Sequence, residues 1–246
     1  MSSKSALYIV TGSSKGIGEA LVKKLLEEPN NRVIGMARSQ MELFHPNFKF
    51  IQIDLSNFQE ILEHIDDIFP EESFAKVVLV NNAGWIGEIV HLGNMTPVGI
   101  YKTFVLNTIA PTVLMNAFIK KYGNQMEVER LIVNISSGAA KKAIDGWACY
   151  SASKAAINML SEAVAIEASL DNTGIRVFSV APGVVDTDMQ SEIRKAEVES
   201  FSSLLKFVGL KENQLLSTPD HAAKKLLELI QNPGNFEEVL QDVREF

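Results

Sequence analysis

The sequence predicts an α/β fold: a doubly wound, seven-stranded parallel sheet with helices on both faces. Three observations predict it. Short runs of β-forming apolar residues alternate with longer stretches of helical periodicity along the chain, the pattern of strand–helix–strand units. The run AKVVLV at 75–80 is almost continuously apolar, as a strand buried on both faces must be. Glycine-rich or polar segments close most strands, at the ends where such sheets bind ligands. The chain has 246 residues, 46% of them hydrophobic, with no repeat, low-complexity tract or Pro/Gly-rich linker, so a single domain over 1–246 is expected.

The first strand, 6–10, runs into Thr11-Gly12-Ser13-Ser14-Lys15-Gly16-Ile17-Gly18. Ile17, Leu21, Leu25 and Leu26 then recur at helical spacing until Pro29-Asn30-Asn31 stops the helix. Strand, glycine turn and helix in that order suit a phosphate. Glycines let the backbone approach a pyrophosphate, and the open N–H groups and dipole of the helix N-terminus favour negative charge. Gly12, Ser14, Lys15, Gly16, Ile17 and Gly18 are the candidate contacts, although the spacing is G-x-x-x-G-x-G rather than the usual G-x-G-x-x-G. The second strand, 32–37, ends in Arg38-Ser39. A carboxylate about 20 residues past the glycine turn would hold a ribose 2′-hydroxyl, whereas an Arg accommodates a 2′-phosphate. Arg38, with Lys15 as a second cation, therefore points to NADPH over NADH; the alternative is two ordinary solvated surface cations, against which their agreement in position speaks.

Residues 48–53 alternate as a third strand ending in Asp54-Leu55-Ser56. Asp54 is placed either to meet an adenine amino group or to cap the helix marked by Ile61, Leu62, Ile65, Ile68 and Phe69. The fourth strand, 75–80, leads to Asn81-Asn82-Ala83-Gly84, which either holds backbone around a ligand or is an Asn-rich turn. A helical pattern over 97–122 carries Asn107 among Phe104, Leu106, Ile109 and Leu114. The fifth strand, 131–135, feeds Ser136-Ser137, and 148–169 is a long Ala-rich helix. The sixth strand, 175–180, precedes Ala181-Pro182-Gly183-Val184-Val185-Asp186-Thr187, where Thr187 can donate to a phosphate or amide. Beyond it, about 188–212 reads as a mobile helical excursion suited to a substrate lid, with the charge cluster Arg194, Lys195, Glu197 and Glu199. A helix over 219–229 and a short strand over 238–243 end the chain.

Composition removes several function classes. Lys and Arg number 23 against 30 Asp and Glu, a net charge of −7 with no basic footprint, which argues against nucleic acid and for small-molecule partners. The lone Cys149 excludes an intramolecular disulfide. No apolar run approaches the ~20 residues that span a bilayer, and the N-terminus lacks a signal peptide's apolar region, so a soluble, reducing, cytoplasmic setting is expected. His45, His64, His91 and His221 are scattered without metal-ligand spacing, so no metal is expected.

The densest chemistry lies in NISSGAAKKAIDGWACYSASK at 134–154. Tyr150 and Lys154, four apart, share a face if this run is helical. A phenol titrates near ~10, and a neighbouring cation favours its ionised form, so Lys154 is expected to lower the Tyr150 pKa and make it a usable proton donor and acceptor. Ser137 lacks the G-x-S-x-G elbow of a hydrolase nucleophile, and Cys149 has no evident His partner.

TGSSKGIG at 11–18, NNAG at 81–84, Asn107, Ser137, YSASK at 150–154 and PGVVDT at 182–187 together resemble the short-chain dehydrogenase/reductase family over nearly the whole chain. The resemblance implies a Rossmann fold, with Tyr150 as general acid in carbonyl reduction and Ser137 polarising the carbonyl. It also implies that Lys154 holds the nicotinamide ribose and lowers the phenol's pKa, and that Asn107 supports a water chain. The family spacing of thirteen residues before the Tyr selects Ser137 over Ser136. Asp54, Leu55, Asn82, Ala83, Gly84, Pro182, Gly183, Val185 and Thr187 join the glycine turn, Arg38 and Ser39 as expected cofactor contacts. A homo-oligomer, a dimer or a tetramer, is implied through the helices that hold Asn107 and Tyr150.

Within the family, GAAKKAIDGW at 138–147 and VAPGVVDTDMQ at 180–190 are similar to the sepiapterin reductase and benzil reductase branch. That likeness implies an NADPH-dependent reductase of ketones or vicinal dicarbonyls, with Trp85, Trp147 and Met189 beside the substrate. Core or interface packing is the alternative for each Trp. Hydride delivery to a carbonyl carbon builds negative charge on oxygen, which a positioned hydroxyl and a phenolic proton stabilise. The rivals are a 3-oxoacyl thioester or hydroxysteroid reductase of the same family, and a nucleotide-sensing scaffold without turnover. The intact Ser137, Tyr150 and Lys154 speak against the scaffold.

Overall fold

The computed structural model describes residues 5–246. Seven parallel strands form one sheet in the order β3-β2-β1-β4-β5-β6-β7. They are β1 (Ala6–Thr11), β2 (Asn31–Ala37), β3 (Phe48–Gln52), β4 (Lys76–Asn81), β5 (Glu129–Ile135), β6 (Arg176–Ala181) and β7 (Leu240–Asp242). The strand order reverses between β1 and β4, so a crevice opens there at the carboxyl ends.

Buried on both faces, the inner strands feed two cores by simple alternation, whereas the edge strands β3 and β7 are only partly covered. Leu7 and Ile9 point into one core, with Leu79, Ile132, Leu114 and Phe118. Tyr8 and Val10 point into the other, with Val80, Val133, Leu21, Leu25 and Leu226. The second face is covered by α1 (Gly16–Leu25) and α9 (Pro219–Gln231). Thr218 caps α9 by accepting the His221 N–H, and Pro219 sits where a missing donor costs nothing. The first face is covered by α2 (Phe58–Glu63), α3 (Ile65–Ile68), α5 (Ala110–Tyr122) and α6 (Ala148–Leu170).

The helix expected over 97–122 is three pieces on one path: α4 (Pro97–Phe104), a π turn (Val105–Ile109) and α5. Pro97–Tyr122 is also long and apolar enough by length and composition to cross a membrane, which corrects the expectation that no stretch approaches that length. In this fold it lends Leu114, Met115, Phe118 and Tyr122 to the core. The excursion at 188–212 holds two short helices, α7 (Asp188–Ile193) and α8 (Leu204–Glu212). It is anchored rather than loose: Phe201 and Phe207 are buried in a third apolar cluster with Trp147, Tyr150 and Ile86.

Candidate active site

The glycine turn is held by the neighbouring strand. Asn82, just past β4, donates through Nδ2 to the carbonyls of Thr11 (2.9 Å) and Gly12 (3.1 Å), while the Thr11 hydroxyl accepts the N–H groups of Asn82 and Ala83 at 2.9 and 2.8 Å. The fit leaves no room for side chains. A Cβ on Gly18 would lie 2.2 Å from the Gly12 carbonyl oxygen, and Gly12 itself has φ +65°. Lys15, which precedes α1, makes no side-chain cap, so the first N–H groups of α1 stay available to an anion.

A cavity of about 250 Å³ follows this turn along the strand ends. It is lined by Gly12, Ser14, Lys15, Gly16 and Ile17, by Arg38, Ser39, Asp54 and Leu55, and by Asn82, Ala83 and Gly84, reaching Tyr150, Lys154, Pro182, Thr187 and Met189. Gly18 is absent from its walls and acts by close packing. Two expectations change here. Lys15 is not a free second cation, since its Nζ donates to Asp188 at 2.8 Å and holds that carboxyl below its usual range. Asp54 does not cap the next helix, because Asn57 does so by accepting the Gln59 N–H. Asp54 Oδ1 instead accepts the Ser56 N–H (2.9 Å) and hydroxyl (2.7 Å). Arg38 and Ser39 are exposed at the end of β2.

At the other end of the crevice, α6 presents Tyr150 and Lys154 one turn apart, both buried. Lys154 Nζ donates to the Ile135 carbonyl at 2.7 Å, and a Cβ on Gly84 would sit 3.4 Å from it. Burial lowers the Lys154 pKa from 10.5 to about 8. Burial also pushes the Tyr150 phenol up, with the adjacent Ser137 hydroxyl pulling the other way. The expected lowering of the phenol by Lys154 is not found, because burial and the Ser137 hydroxyl set the shift: desolvation penalises the phenolate and the ammonium alike. Ser136 and Ser137 part company at the end of β5. Ser136 turns inward and donates to Asn158 Oδ1 at 2.6 Å, whereas the half-buried Ser137 accepts the Ala139 N–H at 3.1 Å and stands beside Tyr150.

Asn107 sits in the π turn, a distortion often found at functional sites. Its Oδ1 accepts the Trp85 N–H at 2.8 Å, and its two amide hydrogens go to the Trp85 carbonyl (2.8 Å) and the Ser153 hydroxyl (3.1 Å). Trp85 thus serves through its backbone and lines neither cavity, contrary to its expected place at the substrate.

A second cavity, of about 320 Å³, adjoins the first and shares Ile17, Ser136, Tyr150, Pro182, Thr187 and Met189 with it. Ser137 and Trp147 lie on its wall with Ile86, Ile144, Gln190 and Phe207. Gly183 and Val185, expected at the cofactor, line this cavity and not the first. Trp147 stacks on Phe201 (5.0 Å between centroids, 16° between planes) and meets Tyr150 edge-on at 5.7 Å. Met189 Sδ lies 4.0 Å from the Tyr150 hydroxyl. Sequence reasoning missed Ile86, Gln190 and Phe207 as individual lining residues. No residue type flagged them, because only the packing of 188–212 against 138–147 and against the segment after β4 that holds Ile86 brings them together.

Fold and site define a dinucleotide-dependent oxidoreductase. The short chain dehydrogenase family model matches residues 6–198, and the chain belongs to that family. It is 33% identical to a benzil reductase ((S)-benzoin forming) of Bacillus cereus, over 91% of this chain and 93% of that one. It is 30% identical to the sepiapterin reductase of Bos taurus, over 92% and 90%. Among solved structures, 4-hydroxyisoleucine dehydrogenase complexed with NADH superposes with a TM-score of 0.80 at 26% identity, covering 96% of each chain. The protein is an oxidoreductase acting on CH–OH or C=O groups, of a family that uses NAD(H) or NADP(H). Such a cofactor fits the residues present: an uncapped helix N-terminus, a turn that a Cβ on Gly18 would fill, and a cavity running from Arg38 to Lys154.

Proposed function

We propose that the protein is an NADPH-dependent carbonyl reductase acting on a ketone or vicinal dicarbonyl of benzil-like or sepiapterin-like character. The observation that carries this reading is the pairing of the Ser137 hydroxyl with the Tyr150 phenol on the wall of an aromatic-lined cavity that opens into the dinucleotide crevice. When bound, the cofactor supplies the hydride. The chain supplies the rest. Ser137 donates to the carbonyl oxygen and polarises it, and Tyr150 gives it the phenolic proton as charge builds there. Lys154, next to the crevice, holds the nicotinamide ribose and returns protons to Tyr150. Both amide hydrogens of Asn107 are committed, so the water chain it supports runs from its carbonyl groups instead. Arg38 and Ser39 receive the 2′-phosphate, favoured by the absence of a carboxylate at the end of β2. Residues 188–212 act as the lid that excludes water, and the protein works in the cytoplasm.

The reading extends to assembly. Tyr101, Ile109, Met159 and Ile166 are exposed apolar residues on α4, the π turn and α6, and they suit pairing with a second copy as a homodimer. The test of function is consumption of NADPH with a panel of 1,2-diketones and sepiapterin by the wild type and by Tyr150→Phe. The wild type is expected to reduce at least one of them, and the variant to bind NADPH but turn over at least ~100-fold more slowly. No consumption with any carbonyl points to the scaffold reading, and an active Tyr150→Phe removes the phenol as acid.

A further inference from the structure

The substrate cavity has an apolar floor and a basic mouth. Trp147, Ile144 and Phe207 line it inside, while its lining also includes Lys141, Lys142, Lys206 and Arg244 against a single carboxylate, Asp242. Arg244 is already spent on that carboxylate, donating through Nε at 2.8 Å and through Nη2. Lys141, Lys142 and Lys206 are exposed and make no ion pair or side-chain hydrogen bond among the described residues. Elsewhere on the surface Lys15, Lys23, Lys49, Lys195 and Lys211 each hold a carboxylate. The three lysines, of which only Lys141 feels a carboxylate of this cavity by helping Arg244 hold Asp242 low, come from two separate elements, the loop after Ser137 and helix α8, and they meet at one concavity of a chain whose net charge is −7. A concavity with low-dielectric walls and one sign of charge focuses the field and concentrates counter-ions. The cofactor's phosphates do not account for them, because none of the three lines the cavity beside the glycine turn.

We propose that the substrate is an anionic carbonyl compound: an aryl or alkyl ketone or dicarbonyl whose far end carries a carboxylate or phosphate. Its apolar body lies against Trp147, its carbonyl reaches Ser137 and Tyr150, and its anion is held at the rim by Lys141, Lys142 and Lys206. This deepens the carbonyl-reductase reading and rests on it.

The test compares two probes of one skeleton, a 1,2-diaryl diketone with a para-carboxylate on one ring and its methyl ester. The readout is the acid-to-ester ratio of kcat/KM with saturating NADPH. It is measured for the wild type at low and high salt, and at low salt for the triple variant K141E/K142E/K206E. The ratio is expected to favour the acid by on the order of tenfold at low salt and to collapse under either change. A ratio that moves with neither salt nor the substitutions overturns the proposal. The salt series on the wild type stands alone if the variant does not fold. Binding of the same two probes, followed by tryptophan fluorescence, separates the two readings. Salt-sensitive preference for the acid without reduction of either probe upholds the anionic site and sinks the reductase. Reduction of both without preference does the reverse. Failure of the acid to bind overturns the anionic site.

Discussion

Lys154 offers the sharpest physical test of the site, because its environment turns pH into a measure of burial. Lys154 is 4% exposed and among the described residues its side chain bonds only to the Ile135 carbonyl, so desolvation lowers its pKa from 10.5 to about 8. That displacement amounts to roughly 3 kcal/mol against the charged form. The sign follows from proton counting. Between about pH 8 and 10.5 the folded chain has released this proton and the unfolded chain has not, so stability rises with pH across that window. In Lys154→Met the term is gone. Relative to the variant, the wild type should gain about 2.5 kcal/mol of unfolding free energy between about pH 7 and pH 10. The lost bond to Ile135 costs the variant about 1–3 kcal/mol, but nearly equally at both pH values, so the slope isolates the burial. Other titrating groups, including the buried Tyr8 whose phenol is pushed up to about 12, are common to both proteins and cancel. Urea unfolding followed by tryptophan fluorescence measures the difference. A wild-type-minus-variant gap that stays constant to within about 0.5 kcal/mol refutes a dry, unpaired ammonium.

Two further substitutions probe the cofactor end. Arg38→Asp removes the exposed cation at the end of β2 and installs a carboxylate, so NADPH should weaken by at least ~10-fold more than NADH in titrations of each; an unchanged preference shows that the 2′-phosphate is held elsewhere. Gly18→Ala places a Cβ 2.2 Å from the Gly12 carbonyl and 2.5 Å from Asn82 Nδ2, which the backbone must move to relieve, so loss of NADPH binding and roughly 2–4 kcal/mol of destabilisation are expected. Gly138→Ala, with nothing within 4 Å of the new Cβ, is the control and should leave the melting temperature nearly unchanged.

Inner strands such as β4 were legible because burial on both faces writes them as nearly unbroken apolar runs, whereas β3 at the sheet edge showed through its alternation. The one-residue slip at β4, expected at 75–80 and found at Lys76–Asn81, has a definite cause. Asn81 pairs with Asn134 of β5 and donates to its side chain at 2.8 Å, extending the ladder past the apolar stretch. The site was legible where its chemistry lies at strand ends or on one helix face, as with the glycine turn, Ser137, Tyr150 and Lys154. It was not legible where long-range contacts decide. The π turn contains neither Gly nor Pro and is bound up with Asn107 gripping the backbone of Trp85, 22 residues away. Trp85 and Trp147 looked alike in sequence, yet only Trp147 reaches a cavity, flanked by Phe201 and Phe207 from the excursion. Lys15 looked like a phosphate ligand, and its partner Asp188 lies 173 residues further on.

The overturned expectation about Tyr150 sharpens the mechanism. A lysine one turn away was expected to draw the phenol toward ionisation, but the lysine is itself desolvated, and both groups are pushed toward their neutral forms. Neutral Tyr150 is the state that carbonyl reduction requires, since the phenol must still carry its proton when charge appears on the substrate oxygen. A raised pKa makes it a weaker acid, yet a developing alkoxide is far more basic than any phenolate, so the transfer stays favourable. Oxidation of an alcohol by the same residues would need the phenolate first, and burial opposes it, with only the Ser137 hydroxyl helping. On the proposed reading, the dryness of the pocket therefore biases the chemistry toward reduction near neutral pH, and the single Ser137 O–H, which eases the phenol in the free site, turns to the carbonyl oxygen once substrate is bound.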